Sequence, residues 1–115
     1  MSGLTTHVLD LTLGRPATEV AIRLWSRSGA GWAPRVAART DQDGRARLMT
    51  GETLTAGAYR LEFEIGVYFR ATGAATAEPG FLETVVIDFS VTDAGSHYHV
   101  PLLVAPFGYS TYRGS

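Results

Sequence analysis

Cysteine is absent from this chain of 115 residues. That removes disulfides, thiolate nucleophiles and every cysteine-based metal site. Lysine is absent as well, and all ten basic residues are arginine. Schiff-base chemistry is therefore excluded, and arginine supplies instead a planar, permanently charged fork suited to planar or anionic ligands. The net charge is −1, with no block of either sign, so nothing argues for nucleic acid or a strongly charged partner. No apolar run approaches the ~18 residues of a membrane span. The opening "MSGLTTHVLD" lacks a basic segment followed by an apolar one, so the expectation is a chain with no secretory signal and a cytoplasmic location. A G-x-S-x-G elbow, a phosphate loop and a dinucleotide fingerprint are also missing. Glu62 and Glu64 share one polar strand face and read as solvated surface, not as a glycosidase pair.

What is present suffices for a core. Hydrophobic residues make up 45% of the chain and charged residues 18%, a balance that suits one globular domain over residues 1–115. The dominant period is two. Tyr59, Leu61, Phe63 and Ile65 alternate with Arg60, Glu62 and Glu64, the mark of a half-buried strand. Val85, Ile87, Phe89 and Val91 repeat the pattern, and so do Val20, Ile22 and Leu24. Weaker strand signals cover Leu4–Leu11, Ala33–Thr40 and Arg45–Met49, and His97–Val104 and Gly108–Ser115 complete about eight segments. "LGRPA", "DQDG" and "DAGS" read as turns. The stretch Gly66–Ala75 breaks the alternation and reads as a short helix. Short strands with Gly/Pro turns predict an all-β fold, a sandwich or small barrel.

The residues able to do chemistry gather near the two ends. His97 and His99 share a face of one strand, and His7 lies on the first strand. Three readings are open. An H-x-H pair with a third histidine can bind zinc. Histidines can also be ordinary hydrogen-bonded side chains. Imidazole, with an unperturbed pKa of about 6.5, can equally serve as acid or base near neutrality. Arg45 follows the "TDQDG" turn and is either an exposed hairpin arginine or a pocket cation. The terminal "YSTYRGS" offers hydroxyls from Tyr109, Ser110, Thr111, Tyr112 and Ser115 and a fixed charge from Arg113. It reads as a polar edge strand or as a wall of a site. A last strand lying beside the first would bring both ends of the chain together.

"LTTHVLDLTLGRPA", "TDQDGRA" and "HYHVPLLVAPFGYSTYRGS", in that order, resemble the 5-hydroxyisourate hydrolases, the transthyretin-related proteins of urate breakdown. The resemblance runs from Leu4 to Ser115, and its most specific part is the terminal "YRGS". It implies a transthyretin-like β-sandwich of two four-stranded sheets with one short helix after the fifth strand. It further implies a homotetramer, a dimer of dimers, with no cofactor and no resident metal. The implied catalytic residues are His7, Arg45, His99 and Ser115, and the implied substrate-binding residues are His7, Arg45 and Tyr112. The implied reaction opens the six-membered ring of 5-hydroxyisourate: water attacks the C6 carbonyl and the C6–N1 bond breaks. Two further readings are carried beside it, a small-ligand carrier on the same fold and a zinc-dependent site through His7, His97 and His99.

Overall fold

The computed structural model describes residues 2–115. One sheet is built around β1 (Gly3–Asp10), whose Leu4, Thr6 and Val8 face inward while Thr5, His7 and Leu9 face outward half-buried. On one side β1 pairs in parallel with β8 (His97–Ala105), in the register Gly3↔His97, Thr5↔His99 and His7↔Pro101. On its other side β5 (Arg45–Thr50) runs antiparallel, with His7 opposite Arg45 and Thr5 opposite Arg47. β9 (Gly108–Thr111) forms the edge beyond β8. The second sheet is fully antiparallel, in the order β4 (Gly31–Arg39), β3 (Ala21–Ser28), β6 (Gly57–Glu64), β7 (Thr84–Val91).

Eight long strands thus divide four and four, as the sequence led one to expect. The first sheet gains one short member, β2 (Arg15–Pro16), in the stretch that reads as a turn. Its cause is local. The Asp10 carboxylate accepts hydrogen bonds from the backbone N–H groups of Thr12 (2.8 Å) and Leu13 (3.2 Å). Gly14 N–H donates to the Asp10 carbonyl at 2.8 Å, and the chain doubles back so that Pro16 and Arg15 lie against Leu9 and Asp10.

Between the sheets the alternating residues meet. Leu24, Leu61, Phe63, Val8, Leu102 and Val104 are fully buried. Full burial of one such side chain is worth about 1.5–3 kcal/mol. The exposed ion pairs of the second sheet, such as Arg60 with Asp88, are screened by water and add little, so the interior dominates the stability. Alternation ends at Ile65, where α1 (Ile65–Thr72) begins; Ile65 and Phe69, one turn apart, face the core, and Gly73 ends the helix in the left-handed conformation.

The end of the chain does not lie beside β1. β8 stands between them, and after Thr111 the backbone touches β8 once more, through an isolated bridge between Gly114 and His99. The two chain ends still meet, with β8 as the intermediary.

Candidate active site

The outward face of the first sheet carries the polar residues. A strand shows one side to the core and the other to the exterior, so Thr5 and His7 on β1 and His97 and His99 on β8 emerge together. Opposite them, the turn Asp41–Gly44 delivers β5. The Asp41 carboxylate accepts from the backbone N–H of Asp43 (2.8 Å) and of Arg45 (3.0 Å). Gly44 has φ 75°, and a Cβ there would come within 2.5 Å of the Val8 carbonyl oxygen, so the turn can sit this close to β1 only with glycine. Those bonds, the one from Arg45 N–H above all, hold the Asp41 carboxyl below its ordinary range. Arg45 therefore starts β5 beside a carboxylate and opposite His7.

Here the tail closes the arrangement. Arg113 lies over the Tyr98 ring, 4.2 Å from its centroid, and donates to the His97 carbonyl at 3.2 Å. Gly114 N–H donates to the His99 carbonyl at 2.8 Å. Ser115 then reaches a cleft of about 410 Å³ lined by Thr5, Asp41, Arg45, Arg47, His97 and His99 among others. Within it, the hydroxyl of Thr5 lies 2.8 Å from Nδ1 of His99 and 3.1 Å from Nε2 of His97. Burial pushes the His99 imidazole below its usual pKa, and the neighbouring His7, Arg45 and His97 charges push the same way. Both effects favour the uncharged imidazole.

Of the residues predicted from sequence, Arg45, His99 and Ser115 line this one cleft. His7 stands on the same sheet face, in register with Arg45. Tyr112 is not brought to the cleft. It opens on a separate cavity of about 270 Å³ between β7 and the tail, with Phe89, Tyr98 and Arg113. The zinc reading lacks its donor set: among the described residues no group of three His, Cys, Asp or Glu side chains is placed to hold a metal ion. Sequence reasoning missed Thr5, Asp41 and Arg47. Thr5 was within reach, since it sits two residues before His7 and must share its face. Asp41 was signalled by the "DQDG" turn, whose first residue commonly accepts backbone N–H groups.

Known proteins bear on this arrangement. The model of the HIUase/Transthyretin family matches residues 4–114. A protein of Caulobacter vibrioides named 5-hydroxyisourate hydrolase is 56% identical over 115 residues, covering 100% of both chains. The structure of Klebsiella pneumoniae 5-hydroxyisourate hydrolase superposes with a TM-score of 0.82 at 37% identity, covering 100% of both chains. A crystal structure of (S)-allantoin synthase superposes over 99% of this chain with a TM-score of 0.90 at 39% identity, and this chain spans 44% of that longer one. With the family match running almost from end to end and a relative of this identity over the full length, the chain belongs to the HIUase/Transthyretin family.

Proposed function

We propose that this protein hydrolyses 5-hydroxyisourate to 2-oxo-4-hydroxy-4-carboxy-5-ureidoimidazoline, a step of urate and hence purine breakdown. The observation that carries the reading is the meeting of His99, Arg45 and Ser115 in one cleft, with His7 in register beside them, in a chain 56% identical to a protein bearing that enzyme's name. The cleft, of about 410 Å³, has room for a single flat heterocycle. His7 and His99 act together: one imidazole takes a proton from the attacking water, and the other orients it or donates to the departing nitrogen. Water oxygen adds to C6, the carbonyl oxygen takes up the charge, and the C6–N1 bond breaks as the departing nitrogen receives a proton. The Arg45 guanidinium stabilises the oxyanion and holds the planar ring, and the Ser115 hydroxyl bonds to the substrate. Tyr112 opens on the other cavity and takes no part in this scheme within one subunit.

The working form in this reading is a homotetramer, a dimer of dimers, acting in the cytoplasm without a cofactor. Exposed Leu11, Leu13, Phe81, Phe107 and Tyr112 supply apolar surface for assembly. An ultraviolet assay on freshly generated 5-hydroxyisourate tests the function. The intact protein accelerates loss of the substrate, and His7→Ala lowers kcat by about 10²–10⁴, the usual worth of general acid–base catalysis. A protein that binds the compound without hastening its decay is a carrier, and the proposal fails.

A further inference from the structure

The geometry points to Thr5 and His97 as a hydrogen-bond relay that fixes the tautomer of His99, presenting its Nε2–H to the cleft as a donor and leaving the role of base to His7. The inference rests on the hydrolase reading for its catalytic meaning, but its structural part stands on three observations of its own.

First, one hydroxyl serves two rings. Thr5 Oγ1 lies 3.1 Å from Nε2 of His97 and 2.8 Å from Nδ1 of His99. A hydroxyl has a single proton to donate and lone pairs with which to accept. It can donate to only one of the two rings, and no other protein partner of this hydroxyl is found among the described side chains. The arrangement that uses all three groups has one ring donate and the other accept. The relay therefore has two possible directions, and each dictates a different tautomer of His99.

Second, Nδ1 of His97 is buried and meets no hydrogen-bond partner among the described residues. It is enclosed by its own chain, so neither solvent nor a second subunit reaches it. In one direction this nitrogen would carry the ring's proton as an orphaned buried N–H. In the other it is a bare lone pair. Orphaned buried donors are rarer than under-used acceptors, so the proton sits on Nε2 of His97. The chain of donation then runs from His97 Nε2–H to Thr5, and from the Thr5 hydroxyl to Nδ1 of His99.

Third, His99 has its remaining nitrogen free for the cleft. Nδ1 is occupied by the Thr5 hydroxyl, and no side-chain hydrogen bond to Nε2 is found among the described residues. Burial first, and after it the neighbouring His7, Arg45 and His97, favour the neutral ring, which is the state in which a tautomer matters. From β1 it is faced by His7, from β5 by Arg45 and Arg47, from the turn by Asp41, from its own strand by His97, and from the tail by Ser115. With its proton on Nε2, neutral His99 has no lone pair to offer a water in the cleft. It can orient the substrate by donating a hydrogen bond, while His7 takes a proton from water and returns it to the departing nitrogen.

Nitrogen-15 spectra of the histidine rings, taken on the intact protein without substrate above neutral pH, test the relay apart from the function. The expected pattern for His99 is an unprotonated Nδ1 and a protonated Nε2. Thr5→Val, which keeps the shape and removes the hydroxyl, should turn that pattern into a mixture of tautomers. It should also lower kcat about tenfold with KM little changed, the worth of one hydrogen bond. Thr5→Ser should restore both the spectrum and the rate. His97→Gln, which places an amide N–H close to the former Nε2, should preserve the His99 pattern, and His97→Leu should lose it. Protonation of His99 on Nδ1 in the intact protein overturns the inference, as does a His99 spectrum unmoved by Thr5→Val. The expected spectra in a protein that fails to open the ring would leave the relay standing and remove the hydrolase reading instead.

Discussion

A Cβ built on Gly114 would lie 2.6 Å from Cδ2 of His99 and 3.3 Å from Cγ of Pro101. The first distance is far inside van der Waals contact, so the imidazole of His99 packs directly against bare backbone. This gives the "YRGS" ending a physical reason: Arg113 clamps the tail to Tyr98 and His97, Gly114 admits the ring, and Ser115 arrives in the cleft. Gly114→Ala must tilt His99 or lift the tail. Its expected effect is a fall in kcat of at least tenfold with thermal stability nearly unchanged, since the tail contributes little to the core; equal turnover in the variant would show that neither the ring nor Ser115 needs its present position. For His99→Asn, loss of the imidazole should cost about 10²–10⁴ in kcat while circular dichroism stays native, and near-normal turnover would remove His99 from the chemistry. Much of this site was legible. His7 and His99 stood out because the chain has only three histidines, whereas Arg45, one arginine of ten, and Ser115 were singled out by the resemblance to the hydrolase family. Thr5 did not, because threonine is an ordinary strand residue and only its two contacts distinguish it.

At the scale of elements, the helix is tied to the approach to β7 by one ion pair. Arg70 of α1 grips Glu83 with two parallel hydrogen bonds, at 2.9 and 2.7 Å, and Gly80 N–H adds a third at 2.8 Å. Arg70 first, and Gly80 N–H after it, bring the Glu83 carboxyl down from 4.5 to about 2. A carboxyl depressed in the folded state adds stability above its unfolded pKa, and that stability is lost as pH falls toward the folded value. The wild-type protein should therefore melt higher than Glu83→Gln at pH 7, and the gap should close between pH 4.5 and about 2. Melting curves at several pH values check this, and a gap that persists undiminished at pH 2 would show that the carboxylate charge is not its source. The strands themselves were readable from the sequence wherever one face is buried, as in β6 and β7, because period-two alternation is the direct imprint of a half-buried sheet. β2 escaped because two residues carry no period. The parallel pairing of β1 with β8 escaped because strands so distant in the chain leave no local signal of who their neighbour is, and the tail was accordingly expected one strand away from where it lies.

The whole molecule leaves its cleft uncovered. Arg45 and Ser115 are exposed, so a flat ring held between them would keep one side in water, where charges are screened and an oxyanion is less well stabilised. Near the far end of β1, Leu11 and Leu13 remain 48% exposed, although nearby Val8 is buried and Leu9 half-buried. Covering each would add about 1 kcal/mol per subunit, too little alone but repeated in every copy of a symmetric assembly. If other subunits supply the missing cover, assembly and turnover depend on one another. Replacing Leu11 and Leu13 together by glutamate puts charge where apolar contact is needed, and an unpaired charge is costly to bury. Sedimentation should then shift from four copies toward one, with kcat/KM falling in step and circular dichroism unchanged, because neither side chain belongs to the chain's own core. The wild-type protein sedimenting as a single chain at full activity would break the link, and so would a dissociated double variant that still opens the ring at the original rate.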